Sequence, residues 1–248
     1  MAAPLSFDPT SPALAAHTRP SPFVTGYAFV GDRLWLDFVN SDEARHAQRT
    51  QRTAAPHRAA DRDAASPCPD ALVDFESFVR WMECVGLLDG ERAAGIRRRA
   101  QQQPAGATAV LADARRVRGS LRALAEWSAG VTRGAGDVRA AALGEINRVL
   151  GRSAGMRRLE QRPDGTYARS FAHVGDAFAS LLIPVVDSAA DALILGELAR
   201  VRRCADPRCH RVFHDATKNG RRRWCDMAAC GNRAKAARHR SKDRSASS

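Results

Sequence analysis

The sequence predicts an α+β architecture: a mainly helical N-terminal domain with a small antiparallel sheet, followed by a small finger built on cysteines. Three observations carry this. Apolar residues recur at helical spacing over most of residues 70–200. One strong turn signal, Pro163-Asp164-Gly165, separates two short segments of strand character. Four of the six cysteines fall in two close pairs between Cys204 and Cys230. The chain has 248 residues, 44% hydrophobic and 27% charged, a balance suited to one globular body and a small module. The predicted organisation is a flexible leader over 1–22, a body over 23–200, a finger over 201–244 and a short tail over 245–248.

Taken in order, the elements begin with Leu34, Leu36 and Phe38, which alternate with Trp35, Asp37 and Val39. That alternation predicts a strand. Residues 42–69 lose all periodicity and read as a long exposed loop. Asp70 is a candidate N-cap for a helix whose inner face carries Leu72, Phe75, Phe78, Val79, Met82 and Val85, with Gly86 as its stop. A short polar helix follows over about 89–103, with Pro104 and Gly106 as breakers. Val110, Ala114, Val117, Leu121 and Leu124 mark a longer helix that ends near Gly130. Asp137 can open another, with Leu143, Ile146 and Val149 inward. A β-hairpin is expected across residues 156–171, pairing with the early strand. The last body helix, about 175–203, is the most apolar, carries a break at Pro184 and runs straight into Cys204.

Charge is unevenly placed. The net charge is +12, yet residues 200–248 hold 15 Lys and Arg against 4 Asp and Glu, and the first 199 hold 24 against 23. A near-neutral body with a cationic end points to an anionic polymer as partner. In the strongly apolar region the longest stretch without a charged residue, Ala177 to Val186, is too short to cross a bilayer, which takes about 20 residues. No basic start followed by an apolar run opens the chain. The expectation is a cytoplasmic protein with neither a secretion signal nor a membrane partner.

Cys204, Cys209, Cys225 and Cys230 follow the pattern C-x4-C-x15-C-x4-C. Two close pairs joined by a returning loop suit a tetrahedral ion, each pair supplying half of the cage. Four thiolates fill the shell and leave no open position, so the predicted role is one structural Zn2+; an iron–sulfur cluster and a redox thiol pair are the alternatives. Residues 211–215 and 221–224 read as two short strands around a Lys218-Asn219-Gly220 turn, giving a zinc-ribbon or treble-clef outline. His210 and His214 read as surface histidines. Cys84 reads as core, and Cys68 as an exposed loop thiol.

Beyond Cys230, the alanine-rich run from Gly231 to Arg240 favours a helix that projects Arg233, Lys235, Arg238 and Arg240. Arg221, Arg222 and Arg223 approach the same region. Arginine forks suit phosphates and guanine edges. Asn232 is a helix cap or an adenine contact, and the cap is the simpler reading. About six phosphate contacts would give a log–log salt slope near −5. The rival is a generic polyanion patch. An enzyme reading rests only on Asp37, Asn40, Asp42, Glu43 and His173. No nucleophile–base pair, phosphate loop or open metal triad accompanies them.

At Cys230-Gly231-Asn232-Arg233 the chain resembles the CGNR zinc-finger family. Phe213, Asp215, Arg221 to Trp224, Cys225, Lys235 and the four cysteine positions also fit that family's pattern. The body resembles the ABATE domain commonly joined to that finger, through the string from Leu34 to Asn40, although Ser41 stands where Thr is more common. The resemblance implies a bacterial, stress-linked transcription regulator with zinc held by Cys204, Cys209, Cys225 and Cys230. The expected function is therefore DNA binding, with a body that dimerises or senses a small-molecule effector. RNA binding, with Trp224 and Phe213 stacking on bases, and a zinc-stabilised protein-interaction module are the alternatives.

Overall fold

A computed structural model describes residues 27–42, 70–132, 135–152, 155–161, 167–173 and 178–246. The expected leader, nearly all of the 42–69 loop with Glu43 and Cys68, the Pro163-Asp164-Gly165 turn and the last two residues lie outside them.

Residues 34–39 are not a strand. They form a buried helix, α1 (Leu34–Val39), in which Trp35 through Val39 are all enclosed. Six apolar-rich residues read equally well at either period, and burial on every side suits a short core helix. Phe38 makes an edge contact with Trp81 at 5.3 Å between ring centroids. Gly31 sets up the helix. A Cβ there would meet Leu36 Cβ at 2.7 Å and the Asp37 nitrogen at 2.8 Å. The Asp37 carboxylate accepts the Gly31 N–H at 2.7 Å, which folds the preceding strand-like segment back onto α1.

α2 (Phe75–Cys84) is capped by Asp74, which accepts from the Ser77 N–H, and not by Asp70. Asp70 organises the turn before it, accepting from Leu72 N–H and pairing with Arg118. Phe78, Val79, Trp81 and Met82 face the core, and Gly86 ends the helix in the left-handed region at φ 78. α3 (Gly90–Gln102) is capped by Asp89. Pro104 does not merely end it. The proline opens α4 (Pro104–Ser128) within its first turn, where a missing N–H costs nothing. Val110, Ala114, Val117, Leu121 and Leu124 are buried as their spacing predicts. α5 (Ala135–Leu150) packs on α4 through Ile146 and Val149, but Leu143 is exposed.

β1 (Gly155–Gln161) and β2 (Tyr167–His173) form the expected antiparallel hairpin, from Gly155↔His173 to Gln161↔Tyr167. The two make a sheet of their own, because the early strand proposed as their partner is helical. The expected helix over 175–203 is also divided. A 3₁₀ turn (Ala179–Leu182) leads into α6 (Ile183–Ile194), with Pro184 in its first turn. Gly196 then breaks the path at φ 68, and a second 3₁₀ turn (Glu197–Arg200) redirects the chain. Leu195, next to the break, is exposed.

The finger begins on β3 (Val201–Arg203), which pairs antiparallel with β4 (Val212–His214). Its hairpin therefore surrounds the first cysteine pair. It does not join residues 211–215 to 221–224 as the turn signal suggested, and residues 221–224 take no strand. A single π-helical turn (Met227–Gly231) then enters α7 (Asn232–Ala246). No helix among the described residues is long and apolar enough to cross a membrane.

Candidate metal centre and basic face

The cysteine cage is built from two local geometries. In the first, β3 carries Cys204 to the hairpin end, where its N–H meets the Arg211 carbonyl at 2.9 Å. Asp206 then tightens the turn: its side chain accepts from Arg208 N–H and its carbonyl from Cys209 N–H. In the second, Cys225 precedes the π turn and Cys230 ends it. Asp226 caps that turn by accepting Ala229 N–H, and its carbonyl takes both Cys230 and Gly231 N–H. Asn232 is therefore inside the helical run and exposed, not its cap. Gly231 leaves room for Met227, whose Sδ would lie 2.4 Å from an added Cβ.

All four thiols are buried, and their sulfurs lie within 4.8 Å of one another. Two separations are 3.6 Å (Cys209 to Cys225) and 3.7 Å (Cys225 to Cys230). Zn–S bonds of about 2.3 Å in a tetrahedron place sulfurs about 3.8 Å apart. The cage thus fits one ion. It is too wide for a disulfide at about 2.05 Å, and a multi-iron cluster would push the sulfurs farther apart. The thiols cannot all ionise together without a cation. Their contact with each other holds Cys204 far below the ordinary thiol range and pushes Cys209 far above it, and Cys204 likewise pushes Cys230 up. Four soft, buried donors with no open position make a structural zinc site.

Arg233 completes the cage from outside. Its Nη2 donates to Cys230 Sγ at 3.0 Å and its Nε to Asp206 at 2.8 Å. Burial works against its charge, but the Asp206 hydrogen bond and the neighbouring sulfur raise its pKa. The arginine thus neutralises part of the thiolate charge and ties one cysteine pair to the other. Arg233→Ala is expected to keep the zinc-loaded fold while weakening zinc binding about 10- to 100-fold, read by competition with a chromogenic chelator. An unchanged affinity would remove this role.

Arg222 is also committed internally. It lies over the Phe213 ring at 4.5 Å, donates from Nε to the Trp224 carbonyl at 3.0 Å, and pairs with Asp32 and the Cys225 carbonyl. Phe213 is fully buried and offers no stacking face. Arg223 lies over Trp224 at 5.1 Å. Arg221, Arg223, Lys235 and Arg238 are exposed on the finger. Arg240 lies on α7.

Finger and body share an interface that the sequence reading missed. Val30 joins Phe213 and the four cysteines in one apolar cluster, while Val201 and Val212 belong to the body core. The His214 N–H reaches the Gly31 carbonyl at 2.8 Å, and the Asp215 N–H reaches Arg200 at 2.9 Å. Asn40 holds both backbone groups of Val212, donating to its carbonyl at 2.8 Å and accepting its N–H at 3.0 Å. Arg33 forks onto Glu197 at 2.7 and 2.5 Å. His214 is therefore buried, not a surface histidine, and burial lowers its pKa. Arg203 lies 2.9 Å from His210 Nδ1. Of the polar cluster after α1, Asp37 holds Gly31, Asn40 holds Val212 and Asp42 pairs with Arg122. Cys84 packs against the body core.

Residues 200–243 match the family model of the CGNR zinc finger. Residues 32–197 match the ABATE family model, described as "Putative stress-induced transcription regulator". No curated protein matches the chain. The two matched spans meet at the interface where Asn40 holds Val212.

Proposed function

Because the chain belongs to the ABATE family and carries a CGNR zinc finger, we propose that it is a cytoplasmic, DNA-binding transcription regulator, with zinc held by Cys204, Cys209, Cys225 and Cys230. One observation carries the reading. The cationic surplus of the chain sits beside a near-neutral body, on a finger whose shape the metal fixes. Arg221 and Arg223, with Lys235, Arg238 and Arg240 on α7, would meet phosphates and base edges, and Asn232 lies beside them. Arg222 and Arg233 serve that face indirectly, by shaping it. The body would sense an effector or pair with a second copy, in a response to stress.

Selection of bound fragments from genomic DNA, with and without a chelator, tests this. A defined enriched site that disappears on zinc removal is the expected result. About five phosphate contacts would give a log–log salt slope near −4.5, and Arg221→Ala with Arg223→Ala would reduce it by about 2. No enrichment, or RNA outcompeting DNA, would overturn the reading. So would unaltered DNA binding by an Arg223→Ala/Arg238→Ala variant that loses a protein partner.

A further inference from the structure

We infer that the helical body holds a binding site for a small amphipathic anion, an aliphatic carboxylate, in the cleft between α3 and the start of α6. The cleft has a volume of about 390 Å3, within the usual span of small-molecule sites. Met82, Leu88 and Ile96 form one apolar wall, and Leu181 and Pro184 form the facing one. α3 lends residues 92, 95, 96 and 99, the spacing of a single helix face.

That face carries Arg92 and Arg99, two turns apart. Among the described residues neither has a carboxylate partner, whereas Arg97 on the same helix is held by both Glu76 and Glu83. Among the described residues, no acidic side chain lines the cleft. An apolar trough beside two guanidiniums that no described carboxylate pairs complements a molecule with a greasy body and one anionic end, and guanidinium forks suit a carboxylate. Gly95 lies between the two arginines. A Cβ there would meet nothing nearer than Arg98 Nη2 at 3.9 Å, so packing does not require glycine, and its bare backbone leaves the trough open.

α6 begins at this cleft, with Pro184 in its first turn, and ends at Ile194, shortly before Gly196 turns the chain toward β3 and the finger. An occupant would therefore touch the helix that leads to the metal centre. This inference deepens the sensing role proposed for the body and rests on it. Its test uses no nucleic acid, so a failure here is separable from a failure of DNA binding.

The experiment is calorimetric titration of octanoate into the full-length, zinc-loaded chain, with 1-octanol as the neutral control. Octanoate is expected to bind saturably at one site, and 1-octanol at least about tenfold more weakly. Arg92→Gln with Arg99→Gln should weaken octanoate by about tenfold or more. Gly95→Leu, which fills the trough from an open helix position, should abolish binding while zinc content and helical circular dichroism stay unchanged. Absence of saturable binding overturns the site. So does equal affinity for the alcohol, or undiminished octanoate binding by the arginine variant. The arginine variant replaces an exposed and a half-buried side chain and removes no core group, so the test stands even if Gly95→Leu misfolds.

Discussion

Stripping the metal, or replacing Cys230 by Ser, will unfold the finger while the helical body keeps most of its secondary structure. Among the described residues, the apolar cluster around the four cysteines adds only Phe213 from the finger and Val30 from the body as buried side chains, with Trp224 partly covered. So small a cluster cannot offset the conformational entropy of ordering the chain around it. Zinc supplies the remainder, with apparent binding free energies of about 10–16 kcal/mol in small zinc fingers at neutral pH. The effect should strengthen with acid, because protons compete with the metal for the thiolates. Hydrogen exchange gives the readout. The amides of Cys204, Cys209 and Cys230, each bonded to a finger carbonyl, should lose protection on chelation, while α4 and α6 retain theirs. The isolated protein should be colourless, with one zinc per chain. Finger amides that stay protected without metal would show that the fold does not rest on the ion.

The helices of the body were legible because their stripes are long. α4 shows five inward residues at helical spacing, and all five are buried. α1 was not legible, since six apolar-rich residues fit either period and only enclosure by Phe78, Trp81 and Ser188 settles it. The division of the expected 175–203 helix was half visible. Pro184 announced the break before α6, but Gly196 could be tolerated in a helix and carries a stop only because its φ is positive.

The cysteine cage was legible from spacing alone, whereas its hairpin was not. Lys218-Asn219-Gly220 is a good turn, and the structure uses it as one, with Gly220 at φ 62. Yet Asp215 captures the segment that follows, accepting Arg222 N–H and Thr217 N–H on one carboxylate, so 221–224 cannot zip against β4. The roles of Arg222 and Arg233 were equally hidden. Composition counts a guanidinium as surface charge, and only the positions of Asp32, Asp206 and Cys230 reveal it as an internal tie.

Asn40→Ala will uncouple the finger from the body more than any other single change at their interface. Its amide satisfies both the N–H and the carbonyl of Val212, deep between α1 and β4. Alanine leaves two buried backbone groups without partners, at about 1–3 kcal/mol each, which lowers Tm by about 5–20 °C for a domain of this size. Asn40→Asp should do no better, because a carboxylate can accept the N–H but must then face the carbonyl. Arg33→Ala is the milder control, since its fork to Glu197 is partly open to solvent. The decisive measurement is a cycle of variant against metal. In the wild-type chain, chelation should lower the melting point of the body as well as unfold the finger, because Val201 and Val212 are shared with the body core. In Asn40→Ala the body should hardly notice the metal. Losses that simply add would mean that Asn40 is a local hydrogen-bonding residue and that the finger reports nothing to the body.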